Sequence, residues 1–138
     1  LERTFTIIKP DAVEAGYSGA IITAIESAGF RLMAMKKRIM RRQEAEVFYA
    51  VHRDKAFFSD LMAYITRSPV IVMALEKENA VADFRTLIGA TDPAKADPGT
   101  IRQRFATSIS ENAIHGSDSP ENGRLEVAFF FAEHELIS

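Results

Sequence analysis

The sequence predicts an α+β fold of the ferredoxin-like kind: a four-stranded antiparallel sheet in βαββαβ order, covered by helices, with inserted helices and a long loop before the last strand. Three observations carry this. Runs rich in β-branched and aromatic residues stand at 3–9, 30–40 and 69–76, beside Pro10, Gly29 and Pro69. Segments with apolar residues at helical spacing lie between and after them, at 18–29 and 79–89. The 138 residues contain no repeat, low-complexity tract or Gly/Ser-rich linker, so one domain spanning 1–138 is expected. A chain of that length buries roughly two-thirds of the surface it exposes when unfolded.

Taken in order, "RTFTIIK" (3–9) is a strand stopped by Pro10. Ile21, Ile22, Ile25 and Ala28 mark a helix, with Ser18 as its N-cap and Gly29 as its stop. "FRLMAMKKRIM" (30–40) is the second strand. "RQEAEVFYAVH" and "FFSDLMAYITRS" are two short inserted helices, and "PVIVMALE" (69–76) is the third strand. A helix runs from an Asn79 cap to Gly89, followed by a long irregular segment with two prolines. A loop of that length in a small domain usually carries function. "AIH" (113–115) is a short fourth strand. Ser119, Pro120 and Glu121 then supply a cap, a first-position proline and a first-turn acid for the closing helix. His115 therefore stands at a strand end, just before a helix.

Composition removes several function classes. A net charge of −2, from 17 Lys and Arg against 19 Asp and Glu, argues against a dedicated nucleic-acid binder or a polybasic membrane-surface protein. The chain has no cysteine, hence no disulfide, thiolate metal site or cysteine nucleophile. No signal-peptide layout opens it, and no apolar run approaches the roughly 18–20 residues that span a bilayer, so a cytoplasmic location without membrane contact is expected.

The chemistry narrows by elimination. There is no P-loop, no G-x-G-x-x-G after a strand, no H-E-x-x-H and no G-x-S-x-G elbow. Ser117 and Asp118 follow His115 too closely in the chain to converge on it as a hydrolase triad. What remains is a histidine that can itself be a nucleophile, with Lys9, Arg85, Thr91 and Arg102 as scattered phosphate-binding side chains. Taken singly, each has an ordinary alternative. A lone strand-end histidine is more often structural than catalytic, and Tyr49 and Phe57 are more often core or rim aromatics than ligand platforms.

All of these residues but Arg85 fall in "ERTFTIIKPDAV", "FYAVHRDKAFFSDL", "LIGATDPAKADPGTIR" and "NAIHGSDSPENGRLEVAFFF", which together resemble nucleoside diphosphate kinase along nearly the whole chain. The resemblance implies transfer of the γ-phosphate of a nucleoside triphosphate to a nucleoside diphosphate through a phosphohistidine, in a ping-pong cycle. In that reading His115 is the nucleophile. Lys9 reaches the γ-phosphate and sugar hydroxyl, Tyr49 is the phenol beside it, and Arg85, Thr91 and Arg102 contact the β- and γ-phosphates. Asn112 binds the ribose 3′-hydroxyl. Phe57 stacks on the base, with Ile109 on the other side, and stacking accounts for little base selectivity. Ser117 and Glu126 hold the imidazole, Glu126 at the nitrogen that does not react. Mg²⁺ arrives with the nucleotide, with Asp118 the candidate for a water-mediated contact. His52 is placed between a phosphate contact and a surface role, and His134 at the surface. A homo-oligomer built from dimers is implied, tetramer or hexamer.

The chain departs from the family pattern at several points. Ser68 replaces the usual Gly before the third-strand proline, Gln103 and Arg104 replace the Gly-Asp of "TIRGDF", Ser110 and Glu111 replace the Gly-Arg of "GRN", and Ala24 stands near a helix position where an arginine is common. Arg104 and Glu111 exchange the family's two charges, which predicts that their side chains meet. Two rival readings are a catalytically silent scaffold and a nucleic-acid-binding module using the basic strip from Lys36 to Arg42. The intact His115, Lys9 and Asn112 disfavour the first, and the lack of an RNP1-type aromatic pattern disfavours the second.

Overall fold

A computed structural model describes residues 1–137. The chain runs through β1 (Glu2–Ile8), α1 (Pro10–Glu14), α2 (Ser18–Ser27), β2 (Arg31–Arg38), α3 (Arg42–Phe48), α4 (Phe58–Ile65), β3 (Val70–Lys77), α5 (Ala80–Ile88), α6 (Ile101–Phe105), β4 (Ile114–Gly116) and α7 (Pro120–Phe130). The strands lie in the order β2-β3-β1-β4, every neighbouring pair antiparallel, which is the ferredoxin-like βαββαβ sheet. No helix among the described residues is long and apolar enough to cross a membrane.

Alternation along the central strands divides the core. Phe5 and Ile7 of β1 with Val70, Val72 and Ala74 of β3 meet Met62 and Ile65 of α4 and Val127 and Phe130 of α7. On the opposite face Ile8, Ile71, Met73 and Leu75 meet Ile21 and Ile25 of α2 and Phe84 and Ile88 of α5. Both faces are covered, so β1 and β3 read as continuous apolar runs. β4 is a three-residue edge strand that pairs Ile114 with Ile8, His115 with Ile7 and Gly116 with Thr6.

Gly123 lets α7 sit directly on β1, since a Cβ there would stand 2.6 Å from the Arg3 carbonyl oxygen. Gly123→Ala is therefore expected to destabilise the protein by about 1–3 kcal/mol through overpacking and to lower activity, because α7 carries Glu126. Chemical denaturation checks this. Unchanged stability would show that α7 does not need the close approach.

Several local expectations are corrected. Ser18 is the first residue of α2 and not its cap. The cap position is Tyr17, already in the helical region and without a side-chain hydrogen bond, because the chain turns out of α1 through Gly16 at φ 81° and enters α2 directly. Lys9 lies one residue beyond β1, extended, at the start of α1. Asn79 precedes α5 in a left-handed conformation and caps no backbone N–H; its amide instead donates to Asp83 at 3.1 Å. Most of 90–112 is irregular, but Arg102 belongs to the short helix α6, where the Thr100 hydroxyl accepts from the Gln103 N–H. Ser119 caps α7 as its sequence predicts, accepting from the Asn122 N–H at 3.1 Å.

Candidate active site

The edge strand β4 delivers His115 beside β1, and α7 supplies the carboxylate that fixes its ring. His115 Nε2 lies 3.0 Å from Glu126 Oε1. The same carboxylate oxygen accepts from the Ser117 hydroxyl at 2.7 Å, and that hydroxyl accepts from the Phe5 N–H at 3.0 Å. Ser117 thus orients Glu126 and makes no hydrogen bond of its own to the imidazole. The Phe48 ring meets His115 edge-on, with centroids 5.5 Å apart, and the Phe5 ring lies 6.1 Å away. A carboxylate facing Nε2 selects the tautomer protonated there, which leaves the Nδ1 lone pair with no partner among the described residues. Burial lowers the His115 pKa below the usual histidine range, against the pull of Glu126, so the ring is neutral near pH 7.

Lys9 reaches the same segment from the end of β1. Its Nζ donates to Asn112 Oδ1 at 2.8 Å, and its backbone N–H donates to the Ala113 carbonyl at 2.8 Å. Ala113 has φ 72°, a left-handed conformation that costs a non-glycine residue about 1–2 kcal/mol. Asp11 holds this turn by accepting from the Ala113 N–H at 3.1 Å, and the Tyr64 hydroxyl donates to the same Asp11 carboxylate. Burial brings the Lys9 ammonium down to about 8, with Arg102 nearby adding to the fall.

Arg102 is buried and donates to the Gly89 carbonyl at 3.0 Å and the Ile114 carbonyl at 2.7 Å, tying α6 to β4. Its pKa falls to about 10, first through burial and then through Arg85. Arg85 points toward the Gly116 carbonyl at 3.4 Å. Arg85 thus acts on Arg102 and Arg102 on Lys9 as like charges, and Lys9 and Arg102 also act on His115. Thr91 is exposed on the following loop. Phe57 and Ile109 are 50 % and 59 % exposed, available to a ligand and unused by the core. The Tyr49 hydroxyl is buried without a partner, and burial together with Glu126 raises its pKa, whereas the Lys9 ammonium meets Asn112 and not this phenol. His52 packs beside Phe57, centroids 5.4 Å apart, with Nδ1 buried and unpaired. Asp118 is exposed and accepts from the Asn122 amide at 2.6 Å. Among the described residues no three His, Cys, Asp or Glu side chains are grouped to hold a metal ion.

The sequence model of nucleoside diphosphate kinase matches residues 2–136. The chain belongs to the nucleoside diphosphate kinase family. The nucleoside diphosphate kinase of Trichlorobacter lovleyi is 59 % identical over 137 residues, 99 % of each chain, and that of Chlorobaculum tepidum is 56 % identical over 99 % of this chain and 98 % of its own. Among solved structures, the Aquifex aeolicus nucleoside diphosphate kinase superposes with a TM-score of 0.95 at 40 % identity, covering 99 % of both chains. The Halobacterium salinarum nucleoside diphosphate kinase in complex with CDP superposes equally well, TM-score 0.95 at 40 % identity, covering 99 % of this chain and 91 % of its own.

Within this nucleoside diphosphate kinase fold the expected Arg104–Glu111 contact does not form. Glu111 pairs with Arg67 at 2.9 Å, while Arg104 lies over the Phe105 ring at 4.7 Å and has no carboxylate partner among the described residues. The irregular turn between Ser108 and Ala113 carries Glu111 toward the residues before β3, away from α6. Ser68 also acquires a contact, its hydroxyl donating to Glu14. Nothing in the structure explains Gln103 beyond its carbonyl accepting from the Gly99 N–H at 3.2 Å, or Ser110 at all. Asp11, Tyr64, Phe48 and Arg67 are the contributors that sequence reasoning missed. Asp11 alone had a signal, an acid directly after the Lys-Pro that ends the first strand.

Proposed function

We propose that this chain transfers the γ-phosphate of a nucleoside triphosphate to a nucleoside diphosphate through a phosphohistidine on His115 Nδ1, in a ping-pong cycle with little base selectivity. The observation that carries the reading is the free Nδ1 of a neutral imidazole, clamped through Nε2 and set beside a group of mutually repelling cations. Such a group gains most when it binds a polyanion. In the first half-reaction the Nδ1 lone pair attacks the γ-phosphorus, the N–P bond forms, and the bond to the β-phosphate bridging oxygen breaks to release nucleoside diphosphate. As Nδ1 bonds phosphorus the ring gains positive charge, and Glu126 stabilises it through the Nε2–H hydrogen bond. The second half-reaction reverses these steps onto another nucleoside diphosphate. Catalysis is then positioning and charge stabilisation, the work assigned to Lys9, Arg85, Thr91 and Arg102 on the phosphates and to Lys9 and Asn112 on the sugar. Tyr49 lines this site.

Mg²⁺ in this family travels with the nucleotide. One exposed carboxylate, Asp118, fits a hydrated ion better than a protein cage, and the ion would neutralise charge on the phosphate oxygens. Two results test the reading. Initial rates with varied ATP and varied GDP should give parallel double-reciprocal lines, with CDP, UDP and dTDP also accepted. Intersecting lines would reject the covalent intermediate. Phe57→Ala should weaken every nucleotide by about 1–3 kcal/mol without changing their ranking, and a reordered ranking would remove Phe57 as a stacking platform. The exposed Met35, Ile39 and Tyr17, on and beside the edge strand β2 and at the start of α2, support a homo-oligomer assembled from dimers, and a monomeric mass by light scattering at micromolar concentration would contradict it.

A further inference from the structure

Arg67 stands between α4 and β3, outside the catalytic set, yet it is the most heavily engaged cation at that end of the sheet. Its Nε and Nη2 donate to the two oxygens of Glu14 at 3.0 and 2.7 Å, and Nη2 also donates to Glu111 Oε1 at 2.9 Å. Glu14 closes α1, which begins directly after Lys9; Glu111 immediately precedes Asn112. One guanidinium therefore joins the two stretches of chain whose side chains meet as the Lys9–Asn112 hydrogen bond. A second route leads to the same turn: the Arg67 guanidinium lies 5.2 Å over the Tyr64 ring, and Tyr64 donates to the Asp11 carboxylate that accepts from the Ala113 N–H. The turn at 111–113 needs such support because Ala113 holds a left-handed conformation that it would otherwise leave.

We infer that Arg67 is a positioning residue for nucleotide binding: by bridging Glu14 to Glu111 it clamps the 111–113 turn against α1 and so presents the Asn112 amide, together with Lys9, to the sugar of the nucleotide. The inference rests on the proposed contact of Asn112 and Lys9 with that sugar. Hydrogen bonds from Arg67 and Ser68 hold the Glu14 carboxyl down at about 2, so the Glu14 arm of the bridge stays charged throughout the working pH range. A lysine would not serve, since its single ammonium cannot address two carboxylates in the forked geometry of a guanidinium. The Glu111 departure from the family pattern acquires a reason here, because its acid meets Arg67 and not Arg104.

The test uses the full-length protein and separates sugar binding from histidine chemistry. Arg67→Ala is expected to raise the KM for nucleoside diphosphate by about three- to fivefold, the size of a half-exposed ion-pair network. It should leave unchanged the rate at which phosphoramidate, a donor with no sugar, phosphorylates His115. Glu111→Ala should do the same to a smaller extent, and the double variant should be no worse than Arg67→Ala alone, since both act through one bridge. Arg67→Lys should not restore the KM. An unchanged KM, additive losses in the double variant, full rescue by lysine or an equal loss with phosphoramidate would each overturn the clamp. Asn112→Ala is the companion measurement. If it leaves KM unchanged, the sugar contact itself fails; if it raises KM while Arg67→Ala does not, only the clamp fails.

Discussion

His115→Ala is expected to bring phosphotransfer to the background level, a loss on the order of 10⁴-fold or more, because the Ser117 hydroxyl is committed to Glu126 and the Lys9 ammonium to Asn112. The protein should still fold. The ring is one-fifth exposed, and the core beneath it is built by Phe5, Phe48 and Phe130. Truncation should cost about 1–2 kcal/mol, within what a domain of this size tolerates. His115→Gln should be as inactive and somewhat more stable, since its amide still reaches toward Glu126. A circular dichroism melt beside the activity assay separates the two effects, and turnover within tenfold of wild type in either variant would exclude His115 as the phosphoryl carrier.

The pH profile of kcat/KM gives the second large effect. Burial lowers the His115 pKa, so the nucleophile becomes protonated and inactive only below the ordinary histidine range, and the acid limb should lie below about 6.5. Lys9 sets the other limb: it loses its charge near 8 in the free enzyme, and with it the stabilisation it offers the transferring phosphoryl group. The alkaline limb of kcat/KM should therefore fall near pH 8, while that of kcat lies higher because bound phosphates hold the ammonium charged. Lys9→Met should lower kcat/KM by about 10²–10³ and abolish the alkaline limb. For stability the sign is opposite. A folded-state pKa below the unfolded value of 10.5 means that the folded protein bears the full cost of the buried charge below pH 8 and is relieved of it as pH rises from 8 to 10.5. An alkaline limb that persists in Lys9→Met would assign it to another group.

How far the sequence reveals this molecule depends on the range over which each signal acts. Strands β1 and β3 and helices α2, α5 and α7 follow from composition and period within a window, and the structure has them within a residue or two. The α2 cap does not, because Gly16 and Tyr17 route the chain from one helix straight into the next. The site is harder. The short run "AIH" places His115 at a strand end, whereas β4 is shifted by one residue to Ile114–Gly116 and holds His115 at its centre; Lys9, Asn112, Ser117 and Glu126 come together with it through the motif resemblance, since they lie after β1, in the long loop, after β4 and on α7. Asp11 and Tyr64 meet only because α1, α4 and the turn before β4 pack at one end of the sheet. The Arg104–Glu111 pairing failed for the same reason: an exchange of charges along a chain says that partners changed, and only the fold says which residue, here Arg67, stands across from Glu111.

Everything in the proposed cycle turns on a phosphoryl group carried by His115 Nδ1. Incubating the protein with γ-labelled ATP in the absence of acceptor, then following the label through acid, base and addition of GDP, tests this directly. About one labelled phosphate per chain is expected at saturation. The label should be lost in acid and kept in base, lie on the peptide containing His115, pass to GDP on addition, and be assigned to Nδ1 by phosphorus NMR. Label that survives acid, as on a serine, label on Nε2, or label that does not transfer to GDP would contradict it.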